Sequence, residues 1–142
     1  MVPVAEQGSS GAKRLIGILA VSHSRRLATG LAELLVGLAG GELVVGVAGG
    51  VETLGVDAAM VGAALAELEE RGASEIAVFA DLGSAVFSVE SAIELAELEG
   101  RAVLVDAPFV EGAIAGSMTA VTGGSLADVA EAGEAAYLVR KR

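Results

Sequence analysis

The chain has 142 residues, 54% hydrophobic and only 3% aromatic, with 20 glycines and neither tryptophan nor cysteine. That length supports one core, built from Ala, Val, Leu and Ile, and the missing cysteines exclude disulfides, thiolate metal sites and a thiol nucleophile. Nine basic and 19 acidic side chains give a net charge of −10, and between residues 15 and 139 only four arginines stand against 18 acids, a surface that repels polyphosphate backbones and argues against a nucleic-acid partner. Residues 1–14, MVPVAEQGSSGAKR, lack the apolar stretch of a secretory signal and read as a flexible leader. A single domain is expected over 15–139, with a basic tail at 140–142. No apolar run approaches the ~18 residues of a bilayer span, so a soluble cytoplasmic protein is the simplest expectation.

LIGILAV (15–21) is a short aliphatic run with polar boundaries, the pattern of a strand buried on both faces. Ser24 can cap the helix that follows, in which Leu27, Leu31, Leu34, Leu35 and Leu38 recur at helical spacing before Gly40 and Gly41. LVVGVA (43–48) predicts a second strand and GGVETLG (49–55) its loop. Asp57 is the expected cap of a second helix carrying Met60, Ala64, Leu65 and Leu68 on one stripe and stopping at Gly72. IAVFA (76–80) is the third strand, DLGS its loop, and a helix over 85–98 places Val86, Val89, Ile93 and Leu98 together. AVLVDA (102–107) is the fourth strand, ended by Pro108. Two further helices are expected in FVEGAIAGSMTAV and SLADVAEAGEAAYLV, the latter ending as helix or strand.

Strand alternates with helix throughout, which predicts an α/β fold: a doubly wound, mainly parallel four-stranded sheet with helices on both faces. Right-handed crossovers and a reversal of chain direction open a crevice beyond the carboxyl ends of the strands. SHS, GGVETLG, DLGS and DAPFVEG would converge there although they span residues 22–112.

His23 is the only histidine. It reads either as a solvated loop residue or as a reaction centre, and its place at a strand's carboxyl end, between Ser22 and Ser24, favours the second. A largely uncharged imidazole can act as nucleophile or proton carrier. The helix N–H groups behind it, with Arg25 and Arg26, would stabilise an added phosphoryl group. Asp81 either caps a helix or accepts the imidazole's second N–H, fixing its tautomer. Gly83 and Ser84 offer donors to an anion and are equally ordinary caps. Asp106 and Glu111 frame Pro108, with loop ordering as the default role. One histidine and scattered acids give no zinc-ligand spacing, so no metal is expected. Without GxGxxG or GxxxxGK[ST], no nucleotide pocket or other cofactor is expected either.

VSHS (21–24), DLGSA (81–85) and APFVEGA (107–113) together resemble the phosphotransfer subunit of bacterial dihydroxyacetone kinase, which is similar to the enzyme IIA domain of the mannose phosphotransferase family. The resemblance spans roughly residues 15–135. It implies a mannose enzyme IIA-like fold, a homodimer, and a component of the phosphoenolpyruvate-glycerone phosphotransferase. His23 would take a phosphoryl group from the phosphocarrier HPr and pass it to ADP in the kinase's ADP-binding subunit. Asp81 would be the orienting carboxylate, while Gly83, Ser84, Pro108, Glu111 and Gly112 match family loops that contact phosphate or shape the rim. Val56, Asp57, Phe87 and Ser88 depart from the family pattern. Alternatives are an enzyme IIA serving a sugar-transport enzyme IIB, a tetrapyrrole metal chelatase with a similar histidine loop, and a non-catalytic regulatory or scaffold domain.

Overall fold

The computed structural model describes residues 14–40 and 42–142, so the expected leader lies, up to residue 13, outside the described residues. Four strands form one parallel sheet: β1 (Ile16–Ser24), β2 (Val44–Gly50), β3 (Glu75–Ala80) and β4 (Ala102–Leu104), in the order β2-β1-β3-β4. The helices are α1 (Arg25–Ala39), α2 (Ala58–Glu70), α3 (Val86–Leu95), α4 (Phe109–Val121) and α5 (Leu126–Ala135). Central β1 pairs with both β2 and β3, aligning Val21 with Ala48 on one side and Ala80 on the other. A strand hydrogen-bonded on both edges and covered on both faces needs apolar residues without alternation, and β1 is buried at seven consecutive positions.

Period-two geometry sorts these side chains into two layers. Leu19, Val21, Ile76 and Val78 pack with Val61, Leu65 and Leu68 of α2 and Val89 and Ile93 of α3. Ile16, Ile18, Ala20, Ala77 and Phe79 face the other way, onto Ala28, Leu31 and Leu35 of α1, Ala113 of α4 and Val129 of α5. The chain moves outward from β1 to β2 and then returns past β1 to β3. The switch point, where a parallel sheet opens a crevice, therefore lies between the carboxyl ends of β1 and β3.

Several element boundaries and faces differ from the expectation. On α1 the buried line is Ala28, Leu31 and Leu35, whereas Leu27, Leu34 and Leu38 are 49%, 43% and 53% exposed. At 3.6 residues per turn these leucines sit about 70° round the helix from the buried line, beyond what β1, β2 and α4 cover. Met60 is likewise exposed, and Val61 takes its place in the core. The third helix is preceded by a 3₁₀ turn over Gly83–Ala85 and stops at Leu95; Glu97 then takes a left-handed φ of 57° and returns buried Leu98 to the core. The fourth strand ends at Leu104 instead of residue 107, because the Val105 N–H still reaches Val78 but the chain then turns through Ala107 and Pro108 into α4. After α5 the chain makes a 3₁₀ turn, Ala136–Leu138, and does not continue as a strand.

The β1–β2 ladder is interrupted between Val21 and Ser24, which next aligns with Gly50. Ser22 and His23 occupy that irregularity, and β2 approaches it so closely that a Cβ on Gly49 would lie 2.1 Å from the Ser22 carbonyl oxygen. Backbone cannot yield as a flexible side chain can. Gly49→Ala is expected to destabilise the fold by about 1–3 kcal/mol, measured by urea unfolding; an unchanged midpoint would contradict this close approach.

Candidate functional site

β1 delivers Ser22, His23 and Ser24 to the switch point, and the residue after β3 is Asp81, whose own N–H is tied to the Val21 carbonyl at 3.0 Å. One carboxylate oxygen, Oδ2, accepts from the Ser22 hydroxyl at 2.9 Å and from the His23 backbone N–H at 3.0 Å. The other, Oδ1, lies 3.1 Å from His23 Nδ1. On the far side of the ring Ser84 Oγ is 3.0 Å from Nε2. The second loop contributes backbone: the Gly55 N–H donates to the His23 carbonyl at 2.8 Å. Two loops distant in sequence thus fix one residue at backbone and side chain.

An ionised carboxylate only accepts hydrogen bonds, so the proton of a neutral ring resides on Nδ1. Nε2 then carries the lone pair and accepts from the Ser84 hydroxyl. The His23 side chain is 26% exposed, against 10% for Asp81. This places the imidazole nearer the solvent and the carboxylate beneath it. Burial alone would raise the Asp81 pKa, but the hydrogen bonds from the His23 backbone and ring and from Ser22 outweigh it. The carboxyl is thereby held below its ordinary value and ionised at neutral pH.

The other expected site residues divide. Ser22 is fully buried, so it cannot touch a partner; it donates to Asp81 and accepts the Ser24 N–H at 3.0 Å. Ser24 caps α1 through the Leu27 N–H at 3.3 Å. Arg25 and Arg26 are exposed in the first turn of α1. Gly83 lines a cleft of about 350 Å³ between the ends of β3 and β4, together with Asp81, Leu82, Asp106 and Tyr137.

The fourth loop reaches the same cleft through Asp106 and Ala107. Pro108 caps α4 without a side-chain bond, and Glu111 pairs with Lys141. Gly112 is buried where a Cβ would meet that of Ala107 at 2.5 Å, so glycine there permits close packing. Tyr137, which no sequence pattern singled out, donates to Asp106 at 3.1 Å at the edge of the 350 Å³ cleft.

The departures from the family pattern also find places. Asp57 caps α2 through the Met60 N–H at 2.8 Å. Ser88 Oγ donates to the Val56 carbonyl at 3.4 Å, so two departures meet and tie the second loop to α3. Phe87 is 80% exposed. Among the described residues no cluster of three or more His, Cys, Asp or Glu could hold a metal ion, and no helix is long and apolar enough to cross a membrane.

These features define a doubly wound parallel α/β domain with a histidine–carboxylate pair at its switch point. The family model described as PTS system fructose IIA component, of the mannose enzyme IIA type, matches residues 17–130, and the chain belongs to that family. It is 34% identical over 103 residues to the phosphoryl donor subunit DhaM of PEP-dependent dihydroxyacetone kinase 2 from Listeria innocua serovar 6a, covering 70% of this chain and 81% of that one. It is also 32% identical over 124 residues to the phosphoryl donor subunit DhaM of Escherichia coli strain K12, covering 79% of this chain but only 25% of the relative. Among solved structures, a protein of unknown function, EF1359, superposes with a TM-score of 0.71 at 32% identity, covering 84% of this chain and 93% of that one. A sigma-54 interaction domain protein from Enterococcus faecalis, with a TM-score of 0.58, 15% identity and coverage of 83% and 87%, shares the fold.

Proposed function

We propose that the chain is a phosphoryl carrier: His23 accepts a phosphoryl group from phospho-HPr and passes it to ADP held in the ADP-binding subunit of a dihydroxyacetone kinase. The observation carrying this reading is the imidazole gripped at Nδ1 by Asp81 with Nε2 against Ser84. The names of the Listeria and Escherichia relatives favour the kinase over a sugar-transport enzyme IIB as the destination. A single phosphotransfer domain over 15–139, working as a cytoplasmic homodimer, belongs to the same reading.

In the first transfer the Nε2 lone pair attacks phosphorus as the donor's P–N bond breaks, and the donor nitrogen leaves with its electron pair. No proton need be removed, because Nδ1 keeps its hydrogen. The N-phosphorylated ring becomes cationic and Asp81 stabilises it. Ser84 releases Nε2 and turns its hydroxyl toward a phosphoryl oxygen. In the second transfer a β-phosphate oxygen of ADP attacks phosphorus, the Nε2–P bond breaks, and ATP leaves as the ring regains its lone pair. Catalysis is alignment and electrostatics.

The test is incubation of the full chain with phosphoenolpyruvate, enzyme I and HPr, followed by mass analysis under alkaline conditions. One phosphoryl group on His23, discharged by the ADP-loaded subunit, is expected; absence of label would overturn the reading, and discharge only by an enzyme IIB would redirect it. Ser84→Ala removes one neutral hydrogen bond and should slow transfer by up to about tenfold in single-turnover measurements, without moving the unfolding midpoint.

A further inference from the structure

Beside the histidine runs a broad groove of about 920 Å³, bounded by Arg25, Arg26 and Thr29 from α1 and by Val51, Thr53 and Leu54 from the loop after β2. Its two arginines are set apart from the cationic side chains of the body of the fold and from Lys141. Arg14 pairs with Glu75, Arg101 with Glu69 and Lys141 with Glu111, while Arg71 donates to the Val45 carbonyl. Among the described residues neither the Arg25 nor the Arg26 side chain has a hydrogen-bond or ion-pair partner, although Glu33 and Glu52 share the groove. Both occupy the first turn of a 15-residue helix with no acidic residue there, where the macrodipole disfavours positive charge. Two unpaired cations stand at an unfavourable position on a body with 18 acids between residues 15 and 139, so no pairing within the fold accounts for them. Val51 and Leu54, 75% and 79% exposed on the opposite wall, supply apolar contact area.

We infer that this groove docks the phosphoryl acceptor protein through an acidic segment of that partner's surface, with Arg25 and Arg26 setting its register and Val51 and Leu54 seating its apolar flank. The inference rests on the carrier reading above. Both partners must reach His23 in turn, and the acceptor step gathers the more negative charge at the reacting centre. The donor step moves one phosphoryl dianion between two imidazoles. The acceptor step brings a nucleoside diphosphate against that dianion, on a domain that already repels anions. Cationic registry therefore matters most there.

The experiment compares the full chain with Arg25→Glu/Arg26→Glu and, separately, Val51→Ser/Leu54→Ser. Calorimetry reads the Kd of the unphosphorylated protein for the ADP-loaded acceptor subunit, and single-turnover kinetics reads kcat/KM for charging by phospho-HPr. Charge reversal is expected to weaken acceptor binding at least about tenfold at low salt, by a factor several times the loss in the donor step. The gap should shrink above ~0.3 M salt as screening sets in. The apolar pair should weaken binding without altering its salt dependence. Because an acid in the first turn suits the macrodipole, the reversed variant should unfold at or above the wild-type temperature, which separates docking from a structural defect. Unchanged acceptor affinity, or an equal loss in both arms, overturns the inference while leaving the carrier reading intact. Failure of wild type to become labelled overturns the carrier reading, and the binding arm still decides the groove.

Discussion

His23→Gln is expected to abolish phosphoryl acceptance while the protein remains folded. No other imidazole exists to substitute, and the neighbouring hydroxyls of Ser22 and Ser24 are committed to Asp81 and to the cap of α1. The loss should exceed about 10⁴-fold, as for removal of a nucleophile elsewhere. The fold should survive because the residue's structural bonds are made by its backbone: the N–H to Asp81 and the carbonyl to Gly55. Truncating the partly exposed ring forfeits two side-chain hydrogen bonds, and the amide can replace one, so stability should change by about 1 kcal/mol or less. Label retained on the Gln variant, read by mass after incubation with the donor system, would displace His23 from the mechanism.

Asp81→Asn should be nearly as damaging for a different reason. Two donors, the Ser22 hydroxyl and the His23 N–H, converge on Oδ2, so the amide oxygen must take that position. Its NH₂ group then faces Nδ1, where the native ring presents a hydrogen. Relief comes when Nδ1 becomes the acceptor and the ring proton moves to Nε2, which removes the lone pair from the reacting nitrogen. A wrong tautomer of this kind costs about 10²–10⁴ in rate. Ring-nitrogen NMR should report Nε2–H in the variant and Nδ1–H in the wild type; an Asn variant with the native tautomer and native rate would refute the assignment.

The same substitution has a pH signature. In the folded protein the Asp81 pKa is lowered from 3.8, so the unfolded chain binds its proton first as pH falls. The carboxylate's contribution to stability is complete above that unfolded value and is lost as pH drops through the lower folded one. The carboxylate's share of the stability gap between wild type and Asp81→Asn should therefore be lost progressively in acid, below the ordinary carboxylate value, measured by urea unfolding at each pH.

Much of this architecture is legible in the sequence because the sheet is parallel and buried. Unbroken aliphatic runs such as LIGILAV have few other uses, and their alternation with helical spacing brings His23 and Asp81 to the same edge. The histidine loop was also legible as a place where one nitrogen would be reactive. Which nitrogen was not, because that depends on Oδ1 and Ser84 Oγ meeting opposite sides of the ring.

The sequence was least informative where several explanations share one pattern. Five leucines at helical spacing do not reveal that α1 buries Ala28 in preference to Leu27, Leu34 and Leu38, because the covering elements lie far along the chain. APFVEGA reads equally as a site loop or as a packing element, and the packing share, Gly112 against Ala107 and Gly133 with Glu111 paired to Lys141, depends on residues far along the chain. Ser22 looked like a hydroxyl flanking the ring at the crevice and sits fully buried, donating to the carboxylate. A serine in a loop has the same letter in both roles.

The interruption of the β1–β2 ladder at Ser22 and His23 makes chain length at this spot a determinant of chemistry. Along an extended segment, neighbouring side chains project to opposite faces, so loss of a single residue there would turn the imidazole toward the other layer and present a serine to the crevice. The enclosing sheet could remain intact. Deletion of Ser22 would thus yield an inert protein in which the defect is one of phase.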